Sequence, residues 1–203
     1  MAEWWSEPTV WATAFLILFN PCMWNAIGRY EYTTKGISKH FTNNKTAVYM
    51  CAGLIFTLGI VRDLFFEMAI RKCSVNEIIL TSLPMKLFGM GLLACGWTLV
   101  LTSMWRLGVV GTYLGDHFGI LFESRITTFP FSKFDHPMYE GATMAFMGTA
   151  VVQGSAVGMG LAALAGCVYT VAGWVEGPFT AQIYARHQKR ITTETPRKRR
   201  KAE

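Results

Sequence analysis

The sequence predicts an all-α protein, a polytopic bundle of transmembrane helices that ends in a C-terminal helical hairpin. Of the 203 residues, 52% are hydrophobic, and the mean hydropathy of +0.29 argues against a soluble domain. Many apolar residues lie in long runs, close to the roughly 20 residues that a helix needs to cross a bilayer. Glycines within these runs would let the helices approach one another closely, as in membrane bundles.

Four apolar stretches define the predicted helices. They cover residues 9–27, 46–61, 83–105 and 142–175. The fourth stretch is too long for one span, and its middle, residues 153–158, reads QGSAVG, a polar break rich in glycine. We interpret it as two helices joined by a tight turn, with a single long span as the alternative.

The hairpin decides which segments share a face of the membrane. It returns the chain to the side it left, so that the polar segment 111–140 and the C-terminal tail lie together. Four basic residues of the first loop would join them, as expected of cytosolic loops. They are Arg29, Lys35, Lys39 and Lys45. We therefore predict that the catalytic loop faces the cytosol and that the second loop, which begins at Arg62, lies on the opposite side.

The domain organisation follows from where the charge lies. Residues 1–186 are predicted to form one membrane-embedded domain, and residues 187–203 a basic, disordered cytosolic tail. The net charge of +6 comes largely from this tail, which has no interleaved aromatic residues, so anionic lipid headgroups are better partners for it than nucleic acid. The Arg200–Lys201 pair is similar to a dibasic endoplasmic-reticulum retrieval signal, although a solvated charge run explains it equally well.

Cysteine and histidine spacing predicts no metal site. The five cysteines are scattered, mostly inside apolar runs, with no CxxC pair and no histidine cluster nearby. We expect them to act as small hydrophobic residues.

The polar segment 111–140, GTYLGDHFGILFESRITTFPFSKFDHPMYE, is where chemistry is expected. Ionisable groups beside membrane spans are unfavourable unless they have a task. A second polar cluster begins at Glu176, after the hairpin. Any one of these residues could be a loop cap or an interfacial side chain, but together they predict a site between lipid and water. The sequence has no phosphate-binding loop and no G-x-S-x-G elbow.

Several motifs resemble those of the phospholipid N-methyltransferases. They are GTYLGDHFGIL at 111–121, FPF at 129–131, HPMYEGAT at 136–143, EGPFTAQIY at 176–184 and FNPCMWN at 19–25. The resemblance covers most of the chain. It implies methyl transfer from S-adenosylmethionine, leaving S-adenosylhomocysteine, to the amine of an ethanolamine-type phospholipid, which completes phosphatidylcholine.

The resemblance also implies a set of cofactor residues. The animal members of the family have a Gly-x-Gly in the third helix, and ungapped alignment places it on Ala94-Cys95-Gly96, where its first glycine is alanine. Two adjacent glutamates of the family correspond to Glu176-Gly177 here. Gly89-x-Gly91 is a second candidate that lies out of register. The predicted cofactor-binding residues are Ala94, Cys95, Gly96, His136, Tyr139, Gly141, Glu176 and Gly177.

The substrate requires a base and a cation-binding pocket. A headgroup amine is mostly protonated at neutral pH, so a base must free its lone pair. The candidates are Asp116, His117 and Glu140, with His117 preferred because histidine changes charge near neutrality. The predicted substrate-binding residues are Tyr113 and Tyr184, whose rings suit cations, and Arg125, which suits the lipid phosphate. Lys133 is an alternative partner for the phosphate, with Arg186 in reserve.

Two other functions remain open at this point. A carboxyl methyltransferase of the isoprenylcysteine type would share the cofactor pocket, and a non-enzymatic membrane scaffold would need no polar cluster. The resemblance implies the endoplasmic reticulum membrane, with a mitochondrial membrane as a second location. The sequence leaves the preferred methylation step and the oligomeric state open.

Overall fold

The computed structural model describes residues 4–73, 82–124 and 126–199, with side chains as far as Thr193. These residues contain no β-strand, which confirms the all-α prediction. Short 3-10 helices occupy Trp4–Ser6 and Ser38–His40. The five α-helices are α1 (Pro8–Thr34), α2 (Asn44–Lys72), α3 (Leu83–Thr112), α4 (Pro137–Val152) and α5 (Ala156–Arg199).

The last two helices form the predicted hairpin. Helices α4 and α5 are joined by a turn over residues 153–155, in which Gly154 takes a positive φ of 66°. The interpretation as a single long span is therefore wrong. Within the described residues, helices α1, α2, α3 and α5 are long and apolar enough to cross a membrane. Helix α4 has 16 residues and is only about 24 Å long, shorter than a hydrocarbon core of about 30 Å.

Helices α1, α2 and α3 extend beyond their predicted ends, with α1 reaching Thr34. Helix α2 does not stop at Arg62 but continues to Lys72, because Phe66 and Ile70 are buried in the core at helical spacing. Helix α3 reaches Thr112 through a kink at Gly108, whose φ is 59°.

The predicted disordered tail also differs from the structure. Helix α5 continues past residue 186, and the chain expected to be disordered from residue 187 is helical as far as Arg199. The Arg200–Lys201 pair lies outside the described residues.

Helices α3 and α4 cross at two pairs of glycines. A Cβ placed on Gly96 would lie 2.5 Å from the carbonyl oxygen of Gly141, and one placed on Gly148 would lie 2.7 Å from that of Gly89. Each pair is seven residues from the next along both helices, so the two backbones touch over two turns. This is the close approach through small residues that the sequence predicts.

The polar segment is fastened to α1 and α2 at one end of the bundle. Leu114 and Phe118 are buried against the first turns of α2. The Lys35 ammonium donates to the carbonyl oxygen of His117 at 3.1 Å, and the Asn44 amide donates to that of Phe118 at 2.9 Å. The first loop and the polar segment therefore lie at the same end of the bundle, as predicted.

Candidate functional site

A cavity of about 290 Å³ lies where the polar segment meets the beginning of α4 and the second half of α5. Side chains from all five helices reach it. Six that bear on its chemistry are Trp24, Asp116, His136, Tyr139, Glu176 and Tyr184. The two polar clusters that are separate in sequence thus share one cavity at one end of the bundle.

The hairpin joins these clusters through a direct hydrogen bond. The Tyr139 hydroxyl on α4 donates to Oε2 of Glu176 on α5 at 2.5 Å. The Tyr139 ring lies between two other aromatic rings, with centroids 6.3 Å from Trp24 and 5.2 Å from Tyr169. Because both ring pairs are nearly parallel, with interplanar angles of 13° and 19°, the phenol is held from both faces.

Gly173 of α5 makes room for an imidazole at the wall of the cavity. His136 immediately precedes α4, where Pro137 begins the helix. A Cβ on Gly173 would lie 2.6 Å from Cδ2 of His136, too close for any side chain. Gly177, where the family's second glutamate is expected, also lines the cavity, and a Cβ there would be in ordinary contact with the imidazole, 3.6 Å from its Nε2.

Asp116 and His117 form a pair of which one member faces the cavity. Asp116 lines the cavity, and its Oδ1 accepts from the His117 imidazole Nδ1 at 2.7 Å and from the His117 backbone N–H at 2.9 Å. His117 is only 3% exposed, and its ring stacks on Phe179 at 5.4 Å. On its other side it touches Gly28, where a Cβ would lie 2.7 Å from the ring. The structure thus places His117 behind Asp116.

Two of the three predicted substrate residues lie at the cavity. Tyr113 and Tyr184 both line it. Burial raises the pKa of the Tyr113 phenol above its ordinary value, so this hydroxyl stays protonated and able to donate at neutral pH. Arg125 lies outside the described residues.

The predicted glycine motif of α3 and its partner on α4 lie elsewhere. Gly96 and Gly141 contact each other at the crossing of α3 and α4. Ala94 and Cys95 are exposed on the outer surface of α3, and Glu140 is exposed on α4. None of these five residues is brought to the cavity, so the cofactor role inferred for the α3 motif has no support from the geometry.

The sequence reasoning gave no role to Trp24 or Asp135, which both line the cavity. Trp24 of α1 lies within the FNPCMWN motif, which was used only for the resemblance. Asp135 belongs to the polar segment in which chemistry was expected, but no specific role was assigned to it.

The chemistry of the lining suits positively charged ligands. Three carboxylates, those of Asp116, Asp135 and Glu176, face a space that is otherwise rich in aromatic rings. Carboxylates attract cations, and each cation–π contact contributes about 0.5–2 kcal/mol. The volume of about 290 Å³ is close to the lower end of ligand pockets, roughly 300 Å³.

Comparisons with known proteins agree with this picture. A family model described as phospholipid methyltransferase matches residues 85–187. The chain is 42% identical to the phosphatidyl-N-methylethanolamine N-methyltransferase of Saccharomyces cerevisiae, over 85% of this chain and 83% of that protein. It is 43% identical to the Neurospora crassa protein of the same name, over 91% and 86% of the two chains.

An animal protein matches equally well. The phosphatidylethanolamine N-methyltransferase of Rattus norvegicus is 41% identical over 92% of this chain and 93% of its own length. No solved structure matches the chain significantly. Because these relatives are matched over most of their length and the family model covers half of the chain, including most of the cavity residues, the chain belongs to the phospholipid methyltransferase family.

Proposed function

We propose that this enzyme transfers a methyl group from S-adenosylmethionine to the nitrogen of an ethanolamine-type phospholipid, with phosphatidylcholine as the final product. One observation carries the proposal: Glu176, hydrogen-bonded to Tyr139, shares a cavity with Asp116 at the end of the membrane-spanning helices. A cavity at the end of such helices would be within reach of a lipid headgroup. The names of the relatives, phosphatidylethanolamine and phosphatidyl-N-methylethanolamine N-methyltransferases, describe methyl transfer to the nitrogen of such a lipid.

The cavity lining fits the methyl donor. S-adenosylmethionine, when bound, supplies a methyl group on a positively charged sulfur. The carboxylate of Glu176 is suited to hold such a cation, and the ring of Trp24 in the same cavity can add a cation–π contact. Tyr139 contributes by orienting the Glu176 carboxylate through its hydroxyl. Together with His136, these are the residues that we propose hold the donor.

We assign the base to Asp116 instead of His117. Its carboxylate faces the cavity, whereas His117 is buried behind it. Asp116 would bind the headgroup ammonium and accept its proton, which frees the nitrogen lone pair. The two hydrogen bonds from His117 to Oδ1 fix the orientation of the carboxylate. His117 is therefore a positioning residue in this proposal.

The remaining residues align the lipid and limit the access of water. The rings of Tyr113 and Tyr184 line the part of the cavity available to the headgroup. Holding two reactants in a reactive geometry can contribute roughly 7–11 kcal/mol. We keep Arg125 as the proposed partner of the lipid phosphate on the basis of residue type alone.

The orientation and location of the protein belong to the same proposal. Arg29, Lys35 and Arg186 lie at the end of the bundle that contains the cavity, and this excess of positive charge favours the cytosolic side. The resemblance to the family favours the endoplasmic reticulum membrane, with a mitochondrial membrane second.

The test is methyl transfer by purified protein. The protein would be incubated with labelled S-adenosylmethionine and, separately, phosphatidylethanolamine, its monomethyl form and its dimethyl form. We expect label in the lipid nitrogen with at least one acceptor, and less of it in Glu176→Gln when the donor is below saturation. Label transferred to a prenylcysteine carboxylate instead would support the carboxyl methyltransferase. No transfer to any acceptor and no thermal stabilisation by S-adenosylhomocysteine would support the scaffold.

A further inference from the structure

Arg62 is a buried cation that the proposed reaction does not use. It lies on α2, ten residues before the C-terminal end of the helix, which is about 15 Å from that end along the helix axis. Only 13% of its side chain is exposed. Since a charged group at such a depth is unfavourable unless it has partners and a task, its surroundings are informative.

The guanidinium is held by groups from three helices. Its Nη1 donates to the Tyr169 hydroxyl on α5 in a short hydrogen bond. Its Nε and Nη2 donate to Oδ1 of the neighbouring Asp63 at 2.9 and 2.8 Å. The guanidinium also lies over the Phe146 ring of α4, 4.9 Å from the centroid. These contacts fix the planar group in one orientation.

A continuous stack leads from this guanidinium to the cavity. Tyr169, whose hydroxyl Arg62 holds, stacks on Tyr139 with the ring centroids 5.2 Å apart. Tyr139 in turn donates its hydroxyl to Glu176 in the wall of the cavity. Tyr139, the hydrogen-bond partner of Glu176, therefore packs against the Tyr169 ring. Arg62 in turn holds the hydroxyl of Tyr169.

We propose that Arg62 is a positioning residue for the methyl-donor site. Through Tyr169 it holds the Tyr139 ring where the phenol meets the Glu176 carboxylate, so that the site is formed before the ligand arrives. Ordering side chains in advance increases affinity, because less freedom is lost on binding. The inference rests on the proposed function, because that function places the methyl donor beside Glu176.

A purely structural role would have different consequences. If Arg62 only tied α2 to α5, its removal would lower the stability of the bundle, but the folded protein would bind its ligand normally. The affinity of folded, monodisperse protein for S-adenosylmethionine, measured without acceptor lipid, separates the two roles, because this ligand carries the charged sulfur that Glu176 is proposed to hold. Titration calorimetry in detergent micelles measures this affinity without relying on turnover.

Three variants test the stack. In Arg62→Met the charged hydrogen bond is lost, and we expect the Kd for S-adenosylmethionine to rise about tenfold or more. Tyr169→Phe removes only the hydroxyl and should raise the Kd about two- to tenfold. The double variant should bind no more weakly than Arg62→Met alone, because both changes break one contact. The KM for the phospholipid should be unchanged in all three.

Arg71→Met is the matched control on the same helix. Arg71 is 71% exposed and pairs with Glu67, away from the stack, so its removal should leave the Kd unchanged. Equal weakening in Arg71→Met would overturn the proposal, as would normal affinity in folded Arg62→Met. If Arg62→Met does not fold, normal affinity in Tyr169→Phe overturns it instead.

The inference and the proposed function fail in distinguishable ways. If the unsubstituted protein binds no S-adenosylmethionine and methylates no lipid, the proposed function falls, and the positioning role falls with it. If that protein binds the ligand and the stack variants bind it equally well, only the positioning role is overturned.

Discussion

Helix α4 presents two sides that the protein uses differently. Toward α3 it places Gly141 and Gly148, which let the two backbones touch and carry no functional group. Toward α5 it places Tyr139, whose hydroxyl meets a carboxylate in the wall of the cavity. Both sides belong to one helix, and the motif HPMYEGAT contains a residue for each, Tyr139 and Gly141. A residue's role in such a helix is thus decided by the neighbour that it faces.

The two sides should respond differently to substitution. Changes on the α3 side should alter the stability of the bundle and leave the chemistry of the folded protein intact. Changes on the cavity side should alter binding or turnover and leave the fold intact. The following experiments test this separation with residues that α4 faces on each side, those around the cavity and those of α3.

The largest effect is expected for the carboxylate assigned as the base. Asp116→Asn preserves shape but removes proton acceptance, so turnover should fall by about 10²–10⁴-fold. Affinity for S-adenosylhomocysteine should be unchanged, because Asp116 is assigned to the lipid amine. Initial rates of methyl transfer and calorimetry measure the two quantities.

His117→Gln is the companion of that experiment. It removes the imidazole behind the carboxylate, and turnover should fall by less than about tenfold, the effect of one lost hydrogen bond. If His117→Gln reduces turnover as strongly as Asp116→Asn, the assignment of the base to Asp116 is contradicted.

The next effect concerns the donor side of the cavity. Glu176→Gln retains an acceptor for the Tyr139 hydroxyl but loses the negative charge that faces the sulfonium, so the Kd for S-adenosylmethionine, measured without acceptor lipid, should rise about 10–100-fold. The Kd for S-adenosylhomocysteine, whose sulfur is uncharged, should rise less. Thermal stability should not fall, since a buried carboxylate no longer has to be desolvated. Glu140→Gln, on the exposed side of α4, is the control for binding and should behave as the unsubstituted protein. Normal affinity in Glu176→Gln would remove Glu176 from the donor site.

The third effect belongs to the α3 side. In Gly96→Ala the new methyl group would meet the Gly141 carbonyl oxygen, and the resulting separation of the helices should cost about 1–3 kcal/mol of stability. Gly91→Ala is the control, because a Cβ there meets nothing within 4 Å, and alanine should stabilise the helix by up to about 1 kcal/mol. Thermal unfolding in micelles measures both. A weaker affinity for S-adenosylhomocysteine in folded Gly96→Ala would contradict the separation of the two sides.

Features that depend on local composition could be predicted from the sequence. The hairpin was predictable because a glycine-rich polar break interrupts a stretch too long for one span. The shared cavity followed, since a hairpin must return Glu176 to the level of the polar segment. Here a short sequence pattern determines the geometry directly.

Features that depend on helix rotation and loop geometry could not be predicted. Asp116 and His117 are adjacent, yet only Asp116 lines the cavity, while the His117 ring packs against Phe179 and Gly28. Arg62 was assigned to a loop because its charge ended the apolar stretch. The partner that retains it within the bundle, Tyr169, lies more than a hundred residues away.

The smallest effect tests the resemblance itself. Ala94→Gly restores the Gly-x-Gly of the animal family members on α3. Ala94 is exposed and lies away from the cavity, so the Kd for S-adenosylhomocysteine should not change. Stability should fall by about 0.5–1 kcal/mol, because glycine in a helix interior is less favourable than alanine. Tighter binding, measured by calorimetry, would instead indicate that α3 contacts the donor. The Gly96–Gly141 crossing would then serve ligand binding as well as packing.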